Sequence, residues 1–339
     1  MRVLLTGHQG YLGSVMAPML VAAGHEVTGL DSGLFADCVL GPEPAAVETH
    51  AVDLRDAGPE HVAGFDAVIH LAALSNDPLG ALAPELTYDI NHHASTRLAT
   101  LAREAGVKRF LYASTCSVYG ASGGDDLLDE DAPLRPVTPY AESKVRVEDD
   151  LVGLADDDFT PVFLRNATAF GFSPRLRADI VLNNLVGHAF LTGQVKVLSD
   201  GTPWRPLVHA RDIADAFIAA LSAPRAAVHA KAFNVGTEVN NVTVAEIAAE
   251  VVSAVPGSTL AITGETGADP RSYRVDFSRI RTAMPGYEAR WTVKEGAVEL
   301  IDAYRANGLT QEAFDRRFTR LARIAARREA GTVDETLRP

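Results

Sequence analysis

The sequence predicts an α/β protein in which a doubly wound parallel sheet is followed by a smaller mixed α/β domain. Three observations predict it. Short β-rich apolar runs alternate with longer helical patterns through the first half, the pattern of parallel βαβ units with helices on both faces. Gly7, Gly10 and Gly13 stand three apart in "TGHQGYLG", where the first strand should become the first helix. After about Asn166 the rhythm loosens, as in "SDGTPWRPLVH", where proline and tryptophan interrupt shorter elements. The expected division is residues 1–165 and residues 166–339, with some segments of the second part returning to the main sheet.

In order, "RVLL" (Arg2 to Leu5) is the first strand, and a helix follows from about Tyr11 to Ala23. "EVTGLD" (Glu26 to Asp31), "ETHAVD" (Glu48 to Asp53) and "AVIHLAA" (Ala67 to Ala73) read as further strands. The helical stretch "ELTYDINHHASTRLATLAREAG" leads to the strand "RFLYAS" (Arg109 to Ser114), and "YAESKVRVEDDLVGLA" leads to "PVFLRNA" (Pro161 to Ala167). The end, "QEAFDRRFTRLARIAARREAG", is an amphipathic basic helix whose arginines read as a solvated face.

Composition narrows the function. A net charge of −13 argues against nucleic acid as a partner. It leaves room for an anionic small molecule, because a pocket needs only two or three local cations. No apolar run approaches the ~18 residues of a membrane span, and the chain opens into a strand without the pattern of a signal peptide. With Cys38 and Cys116 as its two cysteines, the expectation is a cytoplasmic protein without a disulfide framework. No tight metal-ligand spacing occurs, so no metal is expected.

A glycine-rich strand-to-helix turn lets the backbone approach a pyrophosphate at the helix N-terminus, where free N–H groups carry partial positive charge. The spacing here, G-x-x-G-x-x-G, departs from the G-x-G-x-x-G fingerprint, yet the turn has the strand-turn-helix context that the mechanism requires. Asp31 ends the second strand where a carboxylate would accept hydrogen bonds from an adenosine ribose and repel a 2′-phosphate. No Arg or Lys occurs from Asp31 to Leu54 to receive such a phosphate. The expected cofactor is therefore NAD, on a Rossmann-type sheet. Asp53 closes the third strand and reads equally as an adenine contact or as a turn residue.

Tyr140 and Lys144 in "YAESK" stand four apart on a predicted helix, hence on one face. A phenol with a pKa near ~10 is a poor base at neutral pH. A neighbouring ammonium favours the phenolate, which could then take a proton from a substrate hydroxyl. "YASTCSVYG" (Tyr112 to Gly120) ends a strand where parallel sheets present ligand-facing residues. Ser114, Thr115 and Ser117 there are all candidates to hydrogen-bond the substrate oxygen, or merely to cap the strand.

In this order, T-G-x-x-G-x-x-G, the Asp after the second strand, "VIHLAA", "ST-x-x-VYG" and Y-x-x-x-K resemble the extended short-chain dehydrogenase/reductase family, in its nucleotide-sugar epimerase/dehydratase branch. The resemblance runs from Met1 to about Tyr304. It implies Thr115, Tyr140 and Lys144 as catalytic residues. It implies an NAD site made of Gly7, Gln9, Gly10, Tyr11, Leu12, Gly13, Asp31, Asp53, Leu54, Leu71, Ala72 and Ala73, with Tyr140 and Lys144. It also implies a nucleotide-diphosphate sugar as substrate. Arg205 in "WRPLVHARDIADAF" and Arg271 in "DPRSYRVDFSRI" match the family's diphosphate contacts, and bidentate arginine suits phosphate oxygens. Ser75, Asn76, Ser117, Thr168 and Asn183 complete the expected substrate side with Thr115, and Asn184 neighbours them. The family's Asn in "LR-x-x-N" aligns with Thr168, which implies that the contact has changed or has moved to Asn166. Asp77 reads as a polar turn residue and His209 as a strand residue. A homodimer is also implied.

The reaction follows from what stands beside Thr115. Dehydratases of the family carry Asp and Glu at the next two positions, its decarboxylases carry Glu at the second, and its 3,5-epimerases carry Cys there. This chain has Cys116 and Ser117, and neither is a good general acid or base for loss of water. The set fits a 4-epimerase acting through transient oxidation to a 4-keto sugar. The alternatives are a nucleotide-sugar 4-ketoreductase and other dehydratase or decarboxylase chemistry on the same scaffold. A non-catalytic nucleotide-binding protein would not need all three of Thr115, Tyr140 and Lys144.

Overall fold

The computed structural model describes residues 1–75, 80, 83–121, 127–264 and 271–338. At its centre are seven parallel strands: β1 (Arg2–Thr6), β2 (Glu26–Asp31), β3 (Glu48–Ala51), β4 (Ala67–His70), β5 (Arg109–Thr115), β6 (Thr160–Asn166) and β7 (Lys231–Val235). Their spatial order is β7-β6-β5-β4-β1-β2-β3. The order reverses at β1, which lies between β2 and β4, and that crevice is where doubly wound sheets bind ligands. The last strand, β7, comes from the second half of the chain and pairs with β6, Phe233 opposite Leu164.

Side-chain alternation explains the two layers of helices. Along β5, Phe110 and Tyr112 enter a core with Leu98, Ala99, Val147 and Leu151. Leu111 and Ala113 enter the opposite core, with Ile213, Ala216 and Phe217. Burying each such aromatic or aliphatic side chain contributes about 1.5–3 kcal/mol. A second core gathers Phe170, Leu182, Leu185, Val195, Ile247, Leu300, Tyr304, Phe314 and Phe318 beside the sheet. Small strand pairs frame it, among them Thr168–Phe170 with Trp204–His209. Both cysteines are buried and unbridged. Among the described residues, no helix is long and apolar enough to cross a membrane.

Candidate active site

Helix α1 (Tyr11–Ala22) begins directly after the glycine turn. Gly7 has φ +72°, and a Cβ there would meet Ala72 N at 2.8 Å. A Cβ on Gly13 would meet Gly7 O at 2.3 Å and His8 Cα at 2.5 Å, so only glycine lets the helix start this close to the strand. No side chain caps α1, and its first turn holds no acidic residue. The turn opens into a cavity of about 790 Å³ whose lining includes Gly7, Gln9, Gly10, Tyr11, Leu12 and Gly13. Leu71, Ala72 and Ala73, which follow β4, form part of the same wall.

Asp31 also lines the cavity, and its carboxylate accepts hydrogen bonds from the Gln9 N–H (3.0 Å) and the Gly33 N–H (2.9 Å). These two bonds fix a carboxylate at the end of β2 and leave it acceptor capacity for a ribose diol. An uncapped helix terminus, a glycine cradle and a fixed carboxylate together fit NAD. Asp53 and Leu54 line the cavity as well. Asp53 accepts from the Arg55 backbone N–H and pairs with the Arg55 guanidinium at 2.7 Å. Burial opposes its ionisation, but Arg55 outweighs this and holds the carboxyl below its ordinary range. Its turn-capping role is therefore visible, with a cavity position beside it. Arg55, one residue beyond the stretch without cations, is itself held by Asp53 and Asp89.

Tyr140 and Lys144 come from α2 (Pro139–Leu154), which starts where Thr138 accepts the Ala141 N–H and Pro139 takes the first position. Both line the cavity. Lys144 is buried; its Nζ donates to Ala113 O at 2.7 Å and lies 4.6 Å from the Tyr112 ring centre and 5.7 Å from that of Tyr140. Burial pulls its pKa down to about 7, although Glu148, one turn further along α2, pulls the other way.

The three hydroxyl candidates separate clearly. Ser114 donates to Glu148 Oε1 at 2.5 Å and is committed to the core contact between β5 and α2. Ser117 accepts from Arg271 at 3.1 Å. Thr115 accepts the Ser117 N–H at 3.1 Å, which leaves its own O–H to donate into the cavity. Cys116 points elsewhere, its thiol 3.1 Å from Arg165 O, with its pKa pushed well up by burial.

Ser75, Thr168, Arg205 and Arg271 line the same cavity, and so does Asn166. Asn166 donates to Ser114 O and Leu164 O, while its Oδ1 has no partner. Asn183 is a correction. It is fully buried away from the cavity, with its amide spent on Gly171 and the carbonyl of Arg177; its neighbour Asn184 lines the cavity instead. Asn76 and Asp77 lie outside the described residues. His209 stacks on Trp291 at 4.2 Å and bonds Glu299 at 2.8 Å, in the core of the second half.

Sequence reasoning missed Arg177 and Asp179, which line the cavity as an ion pair at 3.0 Å, with Arg177 also donating to Ser75 Oγ. The signal was the loop "SPRLRAD", two arginines and an aspartate in a segment too irregular for a core strand. It also missed Arg320 and Leu337, both on the cavity wall. The C-terminal arginines are thus not all a solvated face: Arg320 is 5% exposed. It stands four residues before buried Ile324, on the apolar side of its helix.

The sequence matches the NAD dependent epimerase/dehydratase family over residues 3–236. The chain belongs to this family. NAD is its cofactor. The UDP-glucose 4-epimerase of Mycolicibacterium smegmatis is 31% identical over 318 residues, covering 90% of this chain and 99% of that protein. Among solved structures, MoeE5 in complex with UDP-glucuronic acid and NAD superposes with a TM-score of 0.78 at 28% identity, covering 90% of this chain and 99% of MoeE5. The Thermus thermophilus UDP-glucose 4-epimerase complexed with NAD gives a TM-score of 0.77 at 26% identity, covering 90% and 99% of the respective chains.

Proposed function

We propose that this protein is an NAD-dependent nucleotide-sugar 4-epimerase that works by transient oxidation of a sugar carbinol to a ketone. The observation that carries the reading is the company Thr115, Tyr140 and Lys144 keep. They share a cavity with Arg205 and Arg271, and the carboxylates that line it are Asp31, Asp53 and Asp179 among the described residues. Asp31 and Asp53 belong to the cofactor end, and Asp179 is held by Arg177. Neither position after Thr115 offers the acid/base pair that loss of water needs.

On this reading Tyr140 takes the proton of the C4 hydroxyl and later returns it. The Lys144 ammonium favours the phenolate that does so, and the Thr115 hydroxyl holds the substrate oxygen. Bound NAD supplies hydride acceptance and donation. Arg205 and Arg271 grip the diphosphate, and Asn166 or Thr168 receives a sugar hydroxyl. Residues 1–165 then carry most of the cofactor site and residues 166–339 most of the sugar-nucleotide site. A homodimer remains part of the proposal, and a single species near 36.1 kDa in sedimentation would remove it.

The names of the relatives support UDP-hexoses as the first substrates to try. UDP-glucose, UDP-galactose and UDP-glucuronic acid, each incubated in heavy water, should give a stereoisomer of unchanged mass with no deuterium on carbon. A product lighter by water would overturn the epimerase in favour of dehydration. Stoichiometric consumption of NADH with a keto sugar would favour the reductase.

A further inference from the structure

The chain continues past the part that resembles the family, and its last segment comes back to the cofactor end of the cavity. Helix α3 (Arg320–Glu329) is fixed to the loop that follows β2: Arg327 donates to Leu34 O at 2.7 Å and Arg323 pairs with Asp37. Beyond α3, Leu337 is 3% exposed and packs with Leu74 and Ile324, while Arg338 pairs with Asp56. Arg320 and Leu337 line the cavity that Asp31 and the glycine turn also line.

Arg320 is an unusual member of that wall. Its guanidinium lies 4.3 Å over the Phe35 ring, and Nη2 donates to Arg175 O at 3.3 Å. Nη1 is buried without a hydrogen-bond partner. Among the described residues, no carboxylate lies within ion-pair distance of it. Burial lowers its pKa to about 10, with Arg177 adding to the shift and Cys38 and Asp179 opposing it. A buried cation that makes no direct ion pair is costly, and an anionic ligand offsets that cost. A chain of bonds ties Arg175, whose carbonyl holds Arg320, to the start of α1: Arg175 N donates to Ser173 Oγ, and Ser173 donates to the carbonyl of Tyr11, the first residue of that helix. The uncapped start of that helix is where an anion is favoured.

We propose that Arg320 binds the diphosphate of the dinucleotide and that the segment from Phe318 to Arg338 is a retaining wall for it. This rests on NAD being the cofactor and not on which sugar is turned over. Arg320 adds charge from the far end of the chain to a site otherwise built from the first strands.

Calorimetric titration of wild type, Arg320→Met and Arg320→Lys with NAD, ADP, adenosine and UDP tests it. Loss of the charge should weaken NAD and ADP by about tenfold or more. Adenosine and UDP should stay near wild type, and lysine should restore part of the loss. Unchanged NAD affinity in Arg320→Met overturns the proposal. So does weakening of UDP alone, which would assign Arg320 to the sugar nucleotide. If Arg320→Met does not fold, Arg320→Gln removes the charge and keeps a donor for Arg175, and the same comparison is read on it. The wall is tested by joining Leu337→Ser with Arg338→Ala, which should speed NAD dissociation at least about fivefold in a displacement assay. An unchanged rate removes the wall. Wild type that bound no NAD would overturn the cofactor assignment instead.

Discussion

Ser114 and Thr115 are adjacent in β5, so their side chains leave opposite faces of the sheet. Phe110, Tyr112 and Ser114 share the face that packs under α2, and Ser114 is therefore spent on Glu148. From "YASTCSVYG" alone Ser114, Thr115 and Ser117 all stood as candidates and only the family resemblance singled out Thr115; the commitment of Ser117 to Arg271 depends on a contact 154 residues away. Replacing Tyr140 by Phe removes one oxygen and should lower kcat by at least about 10²-fold, while NAD affinity measured by calorimetry stays within twofold. A near-normal rate would take the tyrosine out of the mechanism. At the other end of the cavity, Asp31→Ala should weaken NAD about tenfold and narrow its advantage over NADP, because the carboxylate accepts from the ribose and repels a 2′-phosphate. The check is a competition titration with both dinucleotides, and tighter NADP binding by wild type would contradict the role.

At the scale of elements, α2 carries the chemistry and a buried ion pair anchors it. Glu148 and Arg165 meet at 2.6 Å with side chains 6% and 7% exposed, and Glu148 also receives the Ser114 hydroxyl. The pair ties α2 to both β5 and β6, so it holds Tyr140 and Lys144 against Thr115. Glu148→Ala strands a buried guanidinium and should cost about 3–5 kcal/mol, read as a lowered urea midpoint. A loss below ~1 kcal/mol would mean that water or Glu130 replaces the partner. The strand-helix alternation and the start of α1 were legible in local sequence, because each depends on neighbours within a few residues. The π-helical turn Asp89–His93 was not legible, and although some segment of the second part was expected to return to the sheet, neither its identity as β7 nor its pairing with β6 was, since long-range packing sets them. The same limit hid Arg320: its helical face was readable, but the contact of that face with Phe35 was not.

Across the whole molecule, the protonation of the core sets a pH response. His70 is buried between the Thr6 hydroxyl at 2.6 Å and the Ser95 hydroxyl at 2.8 Å, and burial lowers its pKa to about 3 from 6.5. Between those values the unfolded chain binds the proton and the folded chain does not, so His70 makes stability fall as pH drops below 6.5. Lys144 acts with the same sign in a higher window, from 10.5 down to about 7, in the protein without cofactor. Urea midpoints of the cofactor-free protein should therefore rise with pH in both windows, and Lys144→Met should flatten the upper one. An upper slope that persists in Lys144→Met would assign it to another group. These responses are global, but the central claim concerns one carbon of one ligand. The most direct measurement follows UDP-glucose deuterated at C4 in ordinary water by NMR and mass. The proposed 4-epimerase predicts a C4 epimer of the same mass with the deuterium still at C4, because hydride leaves and returns within one cavity. Loss of that deuterium to solvent, or a product lighter by water, would contradict it.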